Sequence, residues 1–515
     1  MFASGQFQDA LDLCQSTLNQ PGDHRDALYL LGRLAQLQNQ HKRALQCFRK
    51  SIQTGHPEAA PHAYAALSFL KLNEPGAALD RIRAAGEIST SDAQSLGVMG
   101  SVMSLMDRHE EACALNRKAT EADPDDAALW FNYGTSLLSL GEASHADMAY
   151  QTSVKLNPDF LPSHAQLALT GADTHSDETE TLETLWSANR DEDAEGARQL
   201  AHGIARIHER QGNKYEAMAW LERAKAPARS IAEDRIDAIL DSFTAAEALC
   251  ETLNIRAETD GPGPVFIVGM PRTGTTLTDR ILSSHSAVES AGERPEFPFC
   301  LAERVEATSP HDVDSRLISG AAETDLVRVG ERYLKHVSAI VGTSGVFTDK
   351  LPIGKLLAPA MLSALPNSRV ICLRRHPADS VLSVYRQFFE FAIGHYHYAL
   401  SLDWTARYVA RFHKLIDTFV NKLPETRFRV VDYEDLAQNT EATTRSLLDF
   451  AGLEFEQSCL DFHLNAAPVA TASLTEVRKP IYTSSIGRWK SYAELMQPAL
   501  DILVGAGVMD LSDLD

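Results

Sequence analysis

The chain has 515 residues, 44% of them hydrophobic, and carries 48 Lys and Arg against 70 Asp and Glu, for a net charge of −22. That length is enough for two or three domains with buried cores. The acidic balance excludes a general nucleic-acid binder, because phosphate backbones demand clustered Lys and Arg, but it allows a local basic pocket for a small anion. Seven scattered cysteines with no CxxC pair exclude a disulfide framework and a zinc site, and read as reduced thiols. No apolar run approaches the roughly 18 residues of a membrane span, and no charged-then-apolar leader follows Met1. A cytoplasmic protein is the expectation, although the chain starts inside a repeat, which leaves room for a missing upstream segment.

The first elements in chain order are repeats. At a period of 34, Ala10, Ala44, Ala78, Ala112 and Ala146 fall on one position, and Gly32, Ala66, Gly100, Gly134 and Ala168 on another. Small residues at two fixed points of such a period predict paired antiparallel helices that pack closely. The stretch LWFNYGTSLLSLGEASHADMAYQTSVKLNP, Leu129 to Pro158, resembles the tetratricopeptide repeat. Repeats are expected over residues 1–170. A further helical, repeat-like region follows over 171–258, where Ala205 and Ala217 keep the spacing of 12 seen between Gly32 and Ala44. The Gly/Pro-rich piece ETDGPGP, Glu258 to Pro264, marks a boundary. Such arrays present a concave surface to a peptide or protein, or only support the next domain.

From 264 to 515 the pattern changes. Short β-branched runs, Val265–Val268, Val346-Phe347, Val370–Leu373 and Phe428–Val431, alternate with helical stretches and predict a parallel sheet with helices on its faces. Ligands of such sheets sit beyond the carboxyl ends of the strands. After the first strand comes Gly269-Met270-Pro271-Arg272-Thr273-Gly274-Thr275-Thr276. Two glycines allow tight turns, the next helix offers free N–H groups, and Arg272 adds a fork suited to phosphate or sulfate. After the second strand stand Thr348-Asp349-Lys350-Leu351-Pro352. After the third stand Arg374-Arg375-His376-Pro377, with Asp379, Ser380 and Ser383 on a helix opened by the proline. After the fourth stand Asp432-Tyr433-Glu434-Asp435. The polar, basic stretch Thr471 to Tyr492 is a candidate lid.

Pro271 to Glu293, Lys350 to Ser383 and Ser473 to Trp489 resemble the sulfotransferases that use 3′-phosphoadenosine-5′-phosphosulfate (PAPS), nearest to the tyrosylprotein branch and its repeat-bearing bacterial relatives. The resemblance covers about the last 250 residues and implies a P-loop-like α/β fold, so that the whole reads as a helical solenoid followed by an α/β domain. It implies that Pro271 to Thr276 hold the 5′-phosphosulfate through Arg272, Thr273, Gly274, Thr275 and Thr276. Glu293 would be the general base, and Lys350, Arg272 and Ser473 would stabilise charge on the transferring sulfuryl group. Arg375 and Ser383, eight apart, would clamp the 3′-phosphate, with Tyr433 and Arg488 also on the nucleotide. Thr273 departs from the family's usual Ser, and Gln387 stands where some members place Arg. The resemblance calls for no metal.

The acceptor expected from the resemblance and the repeats is a protein or peptide tyrosine. Carbohydrate and small-molecule hydroxyls remain alternatives, as does an interaction scaffold whose sulfotransferase-like domain is inactive. A nucleotide kinase is disfavoured, because its P-loop requires Lys where this chain has Thr275. Glu293, Lys350, Arg375 and Ser383 standing together disfavour the inactive scaffold. Homodimerisation is left open. Arg374 reads as a structural ion-pair partner, Phe388 to Phe391 as core or acceptor wall, and His395-Tyr396-His397-Tyr398 as a poor metal site.

Overall fold

A computed structural model describes residues 7–22, 24–72, 74–88, 92–171, 176–259, 261–307, 313–341, 345–389, 394–465, 477–510 and 512. By its contacts the chain divides into two compact units, one extending to Gly196 and the other beginning at Ala197.

The first unit consists of helix pairs such as Arg25–Leu37 with His41–Gln53 and Ala127–Ser139 with Ala143–Leu156. The fixed small residues have a direct cause. A Cβ on Gly32 would come within 2.5 Å of the Phe48 ring, and one on Gly134 within 2.7 Å of the Tyr150 ring. Each glycine thus admits the aromatic side chain that its partner helix supplies. Ala44, Ala78, Ala112 and Ala146 are fully buried at the reciprocal position.

The second unit begins with helices Ala194–Arg210, Lys214–Ala232 and Ile236–Thr252. The boundary expected at Glu258–Pro264 is therefore a connection inside this unit. Polar tethers explain it: the buried Lys225 donates to the backbone oxygens of Gln387 and Ala399, 3.1 and 2.9 Å away, and Arg229 donates to that of Leu400.

Five parallel strands follow: β1 (Pro264–Gly269), β2 (Val288–Ser290), β3 (Val346–Lys350), β4 (Arg369–Arg374) and β5 (Phe428–Asp432). Their order is β2-β3-β1-β4-β5. The central β1 is buried on both faces, as its apolar run requires. Val265 and Ile267 pack with Ile281, Ile371, Leu373 and Leu447, while Phe266 meets Phe297 and Tyr333 on the other face. Two departures from the sequence reading matter. The edge strand β2 was not anticipated, because three residues with one buried side chain leave no periodicity. The second strand also runs on through Thr348-Asp349-Lys350, because its polar side chains find partners on both sides of the sheet. The chain visits the β2 side first and then crosses β1 to β4, so a crevice opens at the carboxyl end of β1.

Candidate functional site

The loop after β1 is shaped by its backbone. Arg272 adopts φ 69°, Gly269 φ 149° and Gly274 φ 96°. A Cβ on Gly269 would lie 2.6 Å from the Leu373 oxygen of β4, so only glycine lets the loop close over the neighbouring strand. Thr273 is fully buried and donates its hydroxyl to the Met270 oxygen at 2.8 Å. That hydroxyl braces the loop, which leaves Thr273 only its backbone N–H to offer a ligand. Thr275 and Thr276 open the helix Thr275–Leu282, with its N-terminal N–H groups at the crevice.

Lys350 and Glu293 meet. Lys350 ends β3 and is 2% exposed, and its ammonium donates to the Glu293 carboxylate. Backbone pairing causes the meeting: Ala291 N–H donates to the Thr348 oxygen at 2.8 Å and Lys350 N–H to the Gly292 oxygen at 3.0 Å. The segment after β2 therefore runs beside β3 until Glu293 emerges opposite Lys350. Asp279, on the loop helix, braces it from below. It accepts from Ser290 Oγ at 3.0 Å and from the Thr348 hydroxyl, and Ser290 Oγ in turn accepts from Gly292 N–H. Burial pushes the Asp279 carboxyl up, against these hydrogen bonds and the charge of Lys350. Sequence reasoning missed Asp279; the available signal was a carboxylate four residues after Thr275, on the same side of the helix.

Asp349 points to the other side of the sheet, into the aromatic cluster, and accepts from Tyr333 Oη at 2.7 Å. Burial pushes its carboxyl up to about 8.

A second group of predicted residues gathers after β4. Arg375 is buried and donates to the Arg272 oxygen at 3.1 Å and the Ser485 oxygen at 2.5 Å. Its Nε has no partner among the described residues. Its guanidinium lies 4.7 Å from the centre of the Tyr433 ring, and Tyr433 Oη is 2.8 Å from Ser485 Oγ. Tyr433 also covers the loop, because a Cβ on Gly274 would meet its ring at 2.9 Å. Arg374 forms a bidentate pair with Asp432 at 2.6 and 2.8 Å.

Ser383 stands half-buried on the helix Pro377–Tyr385. At the start of that helix Asp379 accepts from Gly487 N–H at 2.6 Å and Trp489 N–H at 3.0 Å, fixing the turn that carries Arg488. Trp489 stacks on His376, centroids 5.5 Å apart. Ser473 lies outside the described residues. On the Glu293 side stands Tyr396, whose phenol is pushed up by burial and by the Glu293 charge; its ring stacks on Phe389 at 4.3 Å. Among the described residues no group of His, Cys, Asp and Glu is arranged to hold a metal.

Residues 264–457 match the family model described as "Sulfotransferase family", and residues 26–54 and 127–160 match the tetratricopeptide repeat. The chain carries a sulfotransferase-family domain downstream of tetratricopeptide repeats. Over 252 residues this chain is 34% identical to an uncharacterized protein of Aquifex aeolicus (strain VF5), covering 47% of this chain and 32% of that protein. Over 238 residues it is 24% identical to protein-tyrosine sulfotransferase 2 of Gallus gallus, covering 44% of this chain and 62% of that enzyme. The chain thus matches less than two thirds of either relative. Among solved structures, the sulfotransferase domain from the curacin biosynthetic pathway aligns with TM-score 0.34 and 18% identity, over 49% of this chain and 99% of that one. Within the sulfotransferase domain, the loop after β1, the Lys350–Glu293 pair and the Arg375–Tyr433 stack all lie at the carboxyl ends of the strands. No helix among the described residues is long and apolar enough to cross a membrane.

Proposed function

We propose that the chain is a PAPS-dependent sulfotransferase acting on a hydroxyl acceptor, with a protein or peptide tyrosine as the acceptor class. The Lys350–Glu293 pair at the end of β3 carries this reading, because it sets a cation and a proton acceptor side by side at the mouth of an anion-binding loop.

The donor's chemistry fits the residues present. The loop needs glycine where a Cβ would strike Leu373 or Tyr433, which leaves backbone N–H groups open to a close anion. Arg375 keeps a buried Nε without a partner among the described residues, beside the Tyr433 ring. Arg272, Gly274, Thr275 and Thr276 would hold the 5′ end, and Arg375, Ser383 and Arg488 the nucleotide phosphates. When bound, PAPS supplies an activated sulfuryl group on a phosphate leaving group.

The chain's own residues do the rest. Glu293, 41% exposed, accepts the proton of the acceptor hydroxyl. Lys350, buried and held by Glu293, keeps positive charge where charge builds during transfer. Asp279 and Ser290 keep Glu293 on the crevice side of β3. Tyr396 and Phe389 form an aromatic wall next to Glu293 that suits a phenolic acceptor. The likeness to protein-tyrosine sulfotransferase 2 of Gallus gallus supports the same acceptor. The repeats offer the surface that would present a polypeptide.

Two measurements test the reading. Calorimetry with 3′-phosphoadenosine 5′-phosphate asks whether the donor site exists, and its silence would end the donor assignment. Incubation with radiolabelled PAPS and tyrosine-containing peptides asks for the acceptor. Labelled peptide with wild type but not with Glu293→Gln is the expected result. Labelling confined to carbohydrate or small-molecule hydroxyls would replace the tyrosine assignment.

A further inference from the structure

The helix Pro377–Tyr385 has one face that leads away from the loop. Asp379, Ser383 and Arg386 lie on it, because spacings of four and three residues return to the same side of a helix. At the Asp379 end stands the turn carrying Arg488. At the Arg386 end stands a helix outside the family match, Ala194–Arg210. Glu209 of that helix, its side chain 4% exposed, accepts both guanidinium donors of Arg386, one of them at 2.6 Å, and also accepts from Arg206. Neighbouring contacts fix this arrangement. Lys214 donates to the Ser491 oxygen at 3.1 Å, and Tyr215 Oη to Glu494 at 2.6 Å, so the start of the next helix, Lys214–Ala232, is tied to the segment that follows Arg488. Along this face Ser383 thus stands between Asp379, which holds the Arg488 turn, and Arg386, which meets Arg206 through Glu209.

We infer that Arg206 is a wall of the 3′-phosphate subsite of the donor pocket, contributed from outside the sulfotransferase-family segment. Charge complementarity is the reason. Burial acts most strongly on Arg206, and the charges that act on it are one carboxylate, Glu209, and three guanidiniums, Arg386, Arg488 and Arg272. Burial pushes the Glu209 carboxyl up, and the hydrogen bonds and charges of Arg386 and Arg206 outweigh it, so it stays ionised. One buried anion among four cations orients the guanidiniums and leaves a net positive field beside Ser383, which a phosphate dianion would neutralise. Arg206 has a side chain 37% exposed, against 10% for Arg386, so it is the member open to a ligand.

This inference rests on the PAPS reading and is tested on the full chain with two probes, 3′-phosphoadenosine 5′-phosphate and adenosine 5′-monophosphate, which lacks the 3′-phosphate. Arg206→Met keeps the aliphatic stem and should weaken the bisphosphate roughly 10- to 100-fold, the usual cost of losing a charge-assisted hydrogen bond. The monophosphate should change less than about threefold, and Arg206→Lys, which restores the charge without the fork, should recover part of the difference. An equal loss for both probes, or none, overturns the inference while leaving the donor reading in place. Wild type that binds neither probe overturns both. A second readout needs no variant: saturating bisphosphate, and not monophosphate, should shield Arg206 from phenylglyoxal as read by mass spectrometry, and modification at an unchanged rate would overturn the assignment.

Discussion

Lys350 donates its buried ammonium to the carboxylate of Glu293, a residue carried by a different segment that reaches it only because Gly292 and Ala291 pair with β3. The two groups act as a unit. Lys350→Met should lower kcat by about 10²–10³, as removal of a preorganised charge donor does. Glu293→Gln should lower it by about 10²–10⁴ while leaving binding of 3′-phosphoadenosine 5′-phosphate within about threefold. The double variant should cost far less than the product of the two, which steady-state kinetics on all three proteins would measure.

Asp279 holds both Ser290 and Thr348. Asp279→Ala removes the acceptor under the Glu293 segment. Its kcat should fall on the order of tenfold or more, since small misplacements of a reacting group are costly. Bisphosphate affinity should stay near wild type, because the partners of Asp279, Ser290 and Thr348, lie on the Glu293 side and outside the donor loop. A matching fall in affinity would show that Asp279 supports the loop instead.

Asp349 makes stability depend on pH. Its carboxyl has an ordinary value near 3.8 and is pushed up to about 8 in the fold. Between those values the folded protein holds a proton that the unfolded chain has released. Stability therefore falls as pH rises through that window, by up to about 1.4 kcal/mol per pH unit, and levels off above it. Asp349→Asn keeps an oxygen for Tyr333 and removes the proton, so its melting temperature should vary less between pH 5 and 8 than that of wild type. Parallel melting curves for the two proteins would contradict this account.

Gly274→Ala forces a side chain into φ 96° and against the Tyr433 ring. A cost of about 1–3 kcal/mol is expected in denaturant titration. Bisphosphate binding should weaken as well, because the displaced ring lies under Arg375.

The helices from Ala197 to Thr252 belong with the sheet through Lys225, Arg229 and Glu209. A fragment starting at Pro264 should expose these sites and fail to give a cooperative melt. A fragment starting at Ala197 should melt cooperatively.

The sequence by itself determined the local elements. A strict period of 34 with small residues specified helix pairs, because only small side chains let two helices approach at those points. Runs such as Val265–Val268 specified buried parallel strands, and Gly269 and Gly274 specified a loop only glycine can make. Those signals are local runs or a fixed spacing along the chain. Only the tertiary structure decided what depends on distant parts of the chain. Lys350 and Glu293 are 57 residues apart and meet through a three-residue edge strand too short to leave a pattern. Thr273 is turned inward where the loop closes over β4, and its hydroxyl bonds to the Met270 oxygen. Arg206 lies 180 residues from Arg386, and both meet on Glu209. Side-chain direction at such points is set by backbone pairing and burial between remote segments, and no local periodicity encodes it.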